Sequence, residues 1–401
     1  MKEAFVLNGA TADGCAFFSA DMLWRTGFVA PDPFWLIEIE GKRFLLASPL
    51  ELSRAKKEAS IDEARNLYDY MDLAREKRTV QQVKPFISGT QAASEGVLVF
   101  LEEQGVECVA VPSWIPYEIA SVFQREYALE MRHPSLYPER TIKSAFEIEE
   151  IKKAQIAVEH AVKKAMDFLR DCTIHDLHIV TNDRYYGLTT VVTSEMLRSV
   201  IDNSLWEQGY KPDHTIVACG LQAADPHCMG FGPLSPYQPI VMDVFPMSRT
   251  THIFSDMTRT VFKGQPSHEL VRVYETVLGS QCGAIKQVRP GVNGKDIMEW
   301  VVRYLDASGY PTTKGDTPEG FIHGVGHSFG IEIHEPPYIN RQSHVLHAGN
   351  VVTVEPGLYY SRPRDHIPAA GIRIEDAVLV TKDGCENLTK FPKDLASMII
   401  A

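Results

Sequence analysis

The chain has 401 residues with 40 Lys or Arg against 52 Asp or Glu, which leaves a formal net charge of −12. Because phosphate binding depends on Lys and Arg, this acidic balance without a basic cluster argues against nucleic acid or an anionic lipid surface as a partner. No apolar run approaches the ~20 residues that cross a membrane, and the N-terminus lacks the pattern of a signal peptide. The seven cysteines are scattered without a Cys-x-x-Cys pair, so we expect a reducing, cytoplasmic setting.

The first third of the chain has the pattern of a mixed α/β unit. Two apolar stretches, residues 34–40 and 43–47, flank Gly41-Lys42, which predicts a hairpin with a two-residue turn at this dipeptide. Short apolar runs at residues 97–100 and 108–111 adjoin helix-like segments. This alternation predicts strands at both runs, with helices between them.

A domain boundary is predicted within residues 133–138, where two prolines interrupt regular structure. At roughly 150 residues per domain, the length itself predicts two or three domains. We therefore predict an N-terminal domain over residues 1–138 and a C-terminal domain over residues 139–401. The second domain opens with the capping-box pattern Ser144-Ala-Phe-Glu147, followed by apolar residues at helical spacing.

Three more helices and five strands are predicted in the C-terminal domain. The helical patterns cover residues 194–208, 268–288 and 294–308. The strand-like patterns cover residues 215–219, 239–245, 252–262, 351–358 and 371–381. Polar residues occur inside several of these strands, and a charge there is costly unless it is paired or bound to a metal.

Four acidic residues lie within these apolar, strand-like stretches. They are Asp243, Asp256, Glu355 and Glu375. Pairing with a cation explains any one of them, and Arg259 and Arg373 are available for this role. The four together outnumber those cations, whereas hard divalent metals take carboxylate oxygens and one carboxylate can bridge two ions. The pattern therefore predicts a cluster of divalent cations.

Three histidines follow in a glycine-rich segment. His323, His327 and His334 lie within twelve residues, between the second of the four acids and the third. A single histidine is usually structural, but three in such a segment favour a site, because glycine lets the backbone approach closely.

The same segment contains the pattern Gly-x-Ser-x-Gly around Ser328, which is typical of serine hydrolases when a long helix follows the serine. Alternating Phe329, Ile331 and Ile333 predict a strand instead, and Pro336-Pro337 exclude a long helix. The zinc-protease pattern His-Glu-x-x-His does not occur. The sequence thus disfavours a serine nucleophile and a zinc-protease helix.

Five of these residues occur in the order Asp243, Asp256, His327, Glu355, Glu375. This order resembles the pita-bread metallopeptidases, the family of prolidase, aminopeptidase P, methionine aminopeptidase and creatinase. The matching stretches are Met-Asp-Val-Phe, Ser-Asp-Met-Thr-Arg-Thr, His-Gly-Val-Gly-His, Val-Glu-Pro-Gly and Arg-Ile-Glu-Asp. Weaker similarity covers residues 140–144 and 224–227, and the N-terminal third looks like the smaller domain of the creatinase and prolidase branch. The resemblance implies an α/β (α+β) chain with a C-terminal pita-bread fold preceded by a smaller creatinase-type N-terminal α/β domain.

The resemblance also implies a dinuclear metal site. Asp243 would chelate one ion, and Asp256 with Glu375 would bridge both ions. His327 and Glu355 would bind the second ion. Such a pair of cations lowers the pKa of a bridging water to give hydroxide at neutral pH and polarises the scissile carbonyl, and Glu355 would carry the proton. The oxygen-rich ligand set suits manganese, while cobalt, iron or zinc are alternatives.

Four further residues are given roles by the same resemblance. His227 and His334 would hold the substrate and the developing tetrahedral oxyanion, and His323 would shape the pocket beyond the scissile bond. Arg373, on the same strand face as the last of the five ligands, would orient carboxylates or bind a substrate carboxylate. A purely structural ion pair is the alternative for this arginine.

The implied activity is hydrolysis of the bond before proline, in Xaa-Pro dipeptides or at the N-terminus of longer Xaa-Pro peptides, by a cytoplasmic homodimer. The residues leave open which of these two substrates is used. Phe245-Pro246 and Ser328 depart from many relatives at positions expected near the substrate. Two alternatives remain: a hydrolase or lyase of the same fold acting on a small non-peptide metabolite, and a non-catalytic binding protein, which would be expected to lose ligands.

Overall fold

The chain divides into two units, Met1–Arg140 and Thr141–Ala401. The computed structural model describes residues 2–80, 88–133, 135, 137–182, 189–313, 319–364 and 366–401. The predicted boundary between residues 138 and 139 lies two residues before the observed division, and Pro134 and Leu136 of the predicted boundary segment lie outside the described residues. In the described ranges, no helix combines the length and apolar character needed to cross a membrane.

The first unit is built on one mixed sheet. Its strands β1 to β6 are Glu3–Gly9, Phe34–Ile39, Lys42–Ala47, Glu63–Asn66, Cys108–Pro112 and Leu129–Arg132. Its helices α1 to α5 are Ala20–Thr26, Pro49–Glu58, Leu67–Val80, Gly89–Glu103 and Tyr117–Phe123. The strand order is β4-β3-β2-β1-β5-β6, antiparallel from β1 to β3 and parallel at both edges.

The predicted hairpin exists, but its turn lies one residue earlier than predicted. Glu40 and Gly41 occupy the turn with φ of 49° and 80°, and Lys42 already pairs with Ile39. A two-residue turn that matches the twist of its strands needs positive φ at both positions, which glycine adopts without steric cost. The position of the glycine therefore decides where the turn falls.

One predicted strand of this unit is wrong. Residues 97–100 lie in α4, where Val97, Phe100 and Leu101 face the core. A short apolar run has the same composition in a buried strand and on the buried side of a helix, so its pattern does not distinguish the two. Residues 108–111 lie in β5, as predicted.

The second unit contains the remaining helices and strands. Helices α6 to α10 are Ala145–Asp171, Ser194–Glu207, His268–Ile285, Gly294–Ala307 and Leu395–Met398. Strands β7 to β14 are Thr173–His175, His178–Asn182, Thr189–Val191, Tyr210–Lys211, Ile216–Cys219, Pro239–Val244, Met247–Ser248 and Met257–Lys263. Strands β15 to β22 are Gly326–Ser328, Glu335–Ile339, Val351–Val354, Gly357–Tyr360, Ala370–Arg373, Asp376–Val380, Cys385–Asn387 and Ile399–Ile400.

Two sheets of this unit carry most of its strands. One has the order β11-β12-β14-β22 and the other the order β16-β15-β17-β20-β21, while β18 and β19 form a separate pair. Helices α6 to α9 cover the sheets with apolar faces, including Val158, Leu197, Val277 and Val301 in one continuous core. Burial of this apolar surface is the main free energy that holds the sheets together. The prediction of a mixed α/β chain is confirmed.

The long helix α6 begins where the capping-box pattern predicts. The Ser144 side chain accepts a hydrogen bond from the Glu147 amide, and the Glu147 side chain accepts one from the Ser144 amide. These bonds satisfy two amides that have no partner within the first helical turn.

Two long predicted strands are each broken in two. The first, residues 351–358, is interrupted at residues 355–356, and the second, residues 371–381, is interrupted at residues 374–375. Another predicted strand, residues 252–262, is shorter than predicted, because it begins at Met257. Residues 329–334 contain no strand, so the strand predicted from Phe329, Ile331 and Ile333 is also wrong. A continuous apolar pattern does not reveal where a strand changes partners.

A fully buried arginine joins β14 to β20. The Arg259 side chain donates to Asp376 Oδ1 at 2.9 Å and to the carbonyl oxygen of Glu375 at 2.6 Å. It also donates to the carbonyl oxygens of Pro392 and Phe391. This cation therefore pairs with an acid outside the four that the sequence singles out, and it anchors the backbone beside one of those four.

We expect Arg259→Met to lower the free energy of unfolding by about 3–5 kcal/mol, because it removes the donor to Asp376 Oδ1 and to several carbonyl oxygens, although Lys393 still pairs with Asp376 Oδ2. Chemical denaturation measures this change. The matched control is Arg170→Met, whose side chain is 56% exposed and whose loss should cost no more than about 0.5 kcal/mol. Equal effects of the two substitutions would contradict the role given to Arg259.

Candidate metal centre

One cavity of about 490 Å³ in the second unit contains every site residue that the sequence predicts. Those residues are His227, Asp243, Asp256, His323, His327, His334, Glu355, Arg373 and Glu375. Of the two departures from relatives, Phe245 also lines the cavity, whereas Ser328 is fully buried in β15 and is not among the lining residues. The Ser328 side chain is therefore not part of the cavity surface, although the neighbouring His327 is.

Strand pairing brings three of the four acids together. Asp243 on β12 lies directly opposite Thr258 on β14. Asp256 lies two residues before Thr258, immediately before the start of β14. The Glu375 amide donates to the Thr258 carbonyl oxygen at 3.1 Å. The Thr258 hydroxyl lies 3.0 Å from Asp243 Oδ1 and 2.8 Å from Glu375 Oε2, so this threonine contacts two of the acids.

Glu355 and Glu375 occupy the two breaks in the predicted strands. The chain leaves the five-stranded sheet after β17, passes Glu355 and enters the β18–β19 pair, then returns to the larger sheet past Glu375. Residues at such crossings lie outside the regular ladder. Their side chains can therefore converge on one point from two different sheets.

His327 approaches the acids because glycine precedes it. A Cβ on Gly326 would lie 2.0 Å from the Thr353 carbonyl oxygen, so only glycine lets β15 come this close to its neighbour. His327 Nδ1 lies 3.1 Å from the Ser328 carbonyl oxygen and takes the donor role there, which leaves Nε2 facing the acids. His327 Nε2 is 3.3 Å from Glu355 Oε1.

The acids repel one another in this buried setting. Burial and the charge of Glu375 raise the pKa of Asp256 well above its ordinary value. Burial and the charge of Glu355 likewise raise the pKa of Glu375. Burial acts to raise the pKa of Glu355, but the interactions with His327, His323 and Arg373 together outweigh burial and lower that pKa to about 2.

Two carboxylate oxygens of the cluster have no hydrogen-bond partner within the part of the chain that the structure describes. They are Asp256 Oδ1 and Glu375 Oε1, both shielded from solvent. One ligand atom each from Asp256, His327 and Glu375 lies within 4.8 Å of the others. Buried, unpaired anionic oxygens beside an imidazole are a suitable donor set for a hard or borderline divalent cation.

Arg373 holds the other side of the cluster through a chain of contacts. Its guanidinium donates to Asp243 Oδ2 at 2.6 Å, to the Thr258 hydroxyl at 3.1 Å and to the Tyr359 hydroxyl at 2.9 Å. The Tyr359 hydroxyl lies 2.8 Å from His323 Nε2. Burial lowers the pKa of His323 and raises that of Tyr359 to about 12, so both are neutral at pH 7.

His334 lies on the loop between β15 and β16. Its ring centroid is 4.3 Å from that of His327, and burial lowers its pKa. The next residue, Glu335, forms a buried ion pair with Lys143. This pair anchors the loop end beside His334.

Thr258 and Tyr359 contact residues of the candidate site but are not among the residues predicted from the sequence. Asp256, immediately before β14, and Thr258 and Thr260 within it recur at every second residue, and this period of two places Thr258 and Thr260 on one side of the strand. The alternation of these polar residues in the sequence therefore indicates that Thr258 faces the same side as Thr260. Tyr359 carries no such signal, because it sits in a buried apolar run where an aromatic residue is ordinarily part of the core.

Residues 149–382 match the sequence profile of metallopeptidase family M24. An uncharacterised peptidase of Bacillus subtilis is 31% identical over 257 residues, which cover 64% of this chain and 64% of the relative. An uncharacterised peptidase of Staphylococcus epidermidis is 31% identical over 278 residues, covering 69% and 70%. The chain thus spans about two thirds of the length of these curated relatives. The chain belongs to metallopeptidase family M24, and membership implies divalent metal ions.

Solved structures share the fold along nearly the whole chain. A prolidase of Pyrococcus horikoshii matches with a TM-score of 0.74 at 22% identity, covering 98% of this chain and 95% of its own. A Xaa-Pro dipeptidase of Bacillus anthracis matches with a TM-score of 0.75 at 22% identity, covering 99% and 94%. An X-Pro aminopeptidase of Thermotoga maritima matches with a TM-score of 0.72 at 24% identity, covering 99% and 97%. The predicted pita-bread fold with a smaller N-terminal domain is confirmed.

The raised pKa values predict how stability depends on pH in protein freed of metal by a chelator. The folded state binds more protons than the unfolded chain between the unfolded pKa of about 4 and the raised folded pKa, so stability falls as pH rises through this window. Asp256→Asn carries no charge at this position. We therefore expect the variant to gain stability relative to the unsubstituted protein as pH rises, measured by thermal unfolding from pH 5 to 9.

The lowered pKa values of His323 and His334 act in the opposite direction, with stability lost as pH falls below about 6.5. Both proteins share these histidines, so the difference between the two curves isolates the carboxyl group. Parallel curves would contradict the repulsion described for Asp256.

Proposed function

We propose that this chain is a peptidase that hydrolyses the bond before proline, using two divalent cations held in the cavity of the second unit. The observation that carries the proposal is the convergence of four carboxylates and one imidazole, with two buried carboxylate oxygens left unpaired. Membership of metallopeptidase family M24 supports it independently of this geometry.

The ligand roles are those that the family resemblance implies. Asp243 would hold one cation, and Asp256 and Glu375, each with an unpaired oxygen, would be shared by both cations. His327 and Glu355, whose ligand atoms are 3.3 Å apart, would hold the second cation. Oxygen ligands with a single imidazole favour manganese, and cobalt, iron or zinc are alternatives.

The cations, when bound, supply Lewis acidity that lowers the pKa of water and polarises the scissile carbonyl. The residues of the chain supply the remaining functions. Glu355 carries the proton from the attacking water to the departing amine. His227 and His334 donate to the oxygen on which negative charge develops. Burial keeps His323 neutral, and the Tyr359 hydroxyl orients its ring. His323 bounds the pocket on the far side of the scissile bond.

Arg373 is a positioning residue in this proposal. Its contacts with Asp243, Thr258 and Tyr359 leave little of the guanidinium free for substrate. It orients the carboxylate of one ligand and, through Tyr359, the imidazole of His323. A planar guanidinium that donates to three different side chains fixes their relative positions.

The proposed substrate is a peptide whose second residue is proline. Ile216, Phe245, Ile322 and Ile333 line the cavity and give the rigid pyrrolidine ring an apolar surface. The structurally similar prolidase, Xaa-Pro dipeptidase and X-Pro aminopeptidase support this substrate class. We further propose that residues 1–138 form a creatinase-type N-terminal domain, and that the enzyme acts as a cytoplasmic homodimer.

The direct test is hydrolysis of Ala-Pro and Ala-Pro-Ala by protein stripped of metal and then supplied with manganese. We expect cleavage that requires the metal and falls by about a hundredfold or more in Asp256→Ala, because this substitution removes a ligand shared by both ions. The bound metal is counted in parallel by elemental analysis, with two ions per chain expected.

Asp167→Ala serves as the control, since this carboxylate is on the surface of α6 and outside the cavity. Two tightly bound ions without cleavage of either peptide would exclude the proline peptidase. That result would favour a same-fold hydrolase or lyase acting on small amides or other metabolites.

Thr258→Val tests how the ligands are held. The hydroxyl contacts Asp243, Glu375 and Arg373, while valine keeps the shape of the side chain, so we expect manganese affinity to fall about 10–100-fold. Titration calorimetry measures the affinity. Thr260→Val is the matched control: its hydroxyl is equally buried on the same strand but bonds only to the Arg373 backbone. Equal losses of affinity in both variants would contradict the specific role of Thr258.

A further inference from the structure

A second cavity of about 810 Å³ adjoins the cavity of the metal centre. Ile322, His323, Gly324 and Asn340 line both, so the two share a wall beside the residue proposed to bound the pocket beyond the scissile bond. The first cavity, at about 490 Å³, already has the volume of a site for a small ligand. The larger second cavity is therefore in excess of what a dipeptide needs.

The second cavity leads on toward an exposed face of α9. Its lining combines apolar Met298 and Val302 with polar Asn340 and Gln342, beside Arg341. A third cavity of about 430 Å³ shares Met298, Val302 and Arg341 with the second. Together the second and third cavities form one groove, named here the α9 groove, that starts at the metal centre.

Cations are concentrated along the α9 groove. Lys295 and Arg303 share a single acid, with Lys295 Nζ 3.9 Å from Glu299 Oε1 and Arg303 Nη1 3.8 Å from Glu299 Oε2. Arg341 is exposed and has no acidic partner in the described ranges. With Asp306 also lining the groove, the three cations exceed the acids by one, in a chain whose net charge is −12.

We propose that the α9 groove binds the part of a peptide that follows proline, with Arg341 contacting a carboxylate of that part. This inference rests on the proposed function and specifies its substrate: oligopeptides of at least three or four residues, in preference to Xaa-Pro dipeptides.

Charge determines which end of the peptide enters the groove. The protonated amino terminus is repelled by Lys295, Arg303 and Arg341. The carboxyl terminus, or an acidic side chain, has the opposite preference. An extended peptide advances about 3.3 Å per residue. In the proposed binding mode, the residues after proline extend beyond the side chains that line both cavities and continue along α9. A guanidinium without a partner offers a carboxylate two parallel hydrogen bonds.

The test compares the kinetics of Ala-Pro, Ala-Pro-Ala-Ala and the C-terminal amide of the tetrapeptide. We expect KM to be about threefold to tenfold lower for the free-acid tetrapeptide than for its amide, because an exposed charged contact contributes modestly. In Arg341→Gln, KM for the free-acid tetrapeptide should rise to the value for the amide. KM for Ala-Pro, which does not reach the groove, should stay unchanged.

Arg170→Gln is the matched control, since this exposed arginine lies outside all three cavities. Arg341→Glu extends the series, because reversing the charge should raise KM for the free acid above that for the amide. Cleavage of all three peptides with equal KM, or an equal effect of Arg341→Gln on dipeptide and tetrapeptide, overturns the groove and leaves the proline peptidase intact. Absence of cleavage of every peptide overturns the proposed function and this inference with it.

Discussion

The mutual repulsion of four clustered carboxylates, of which Asp256 and Glu375 are buried, is the constraint on which the second unit depends. Each acid raises the cost of ionising its neighbours, and the local side chains offset only part of it. Arg373 offsets the cost of ionising Asp243, and His327 offsets the cost of ionising Glu355. Asp256 and Glu375 keep oxygens that nothing in the described chain satisfies. The apolar core beneath the sheets supplies the free energy that holds this unfavourable arrangement in place.

That arrangement explains why the site lies at the edges and breaks of strands. A residue within a central strand can only point to one of two faces, and its neighbours point the other way. At Glu355 and Glu375 the chain changes sheets, which frees each carboxylate to turn toward β12 and β14. Arg259 bonds the backbone at one of these crossings, so the core itself determines where the last acid lies.

Specificity and metal binding are set by different parts of the molecule. The proposed ligands lie on paired strands and their immediate ends, whose geometry is held by hydrogen bonds between strands. The surfaces proposed to contact substrate lie on loops and on α9, where Phe245, Ile322 and Arg341 are partly or fully exposed. Loops tolerate substitution more readily than paired strands, so relatives can keep one chemistry and change its substrate.

The sequence by itself determined the class of fold, the helices α6 to α9 and the acids of the candidate site, because helix caps, apolar periodicity and misplaced charges are local signals. It placed Asp243 and Glu375 in one cluster although 132 positions separate them. Only the tertiary structure decided that Glu355 and Glu375 lie at strand breaks, that the Ser328 side chain is not part of the cavity surface, and that Tyr359 bonds His323. Those facts depend on which strands pair and which faces meet, and pairing between distant segments leaves no periodic mark in either segment alone.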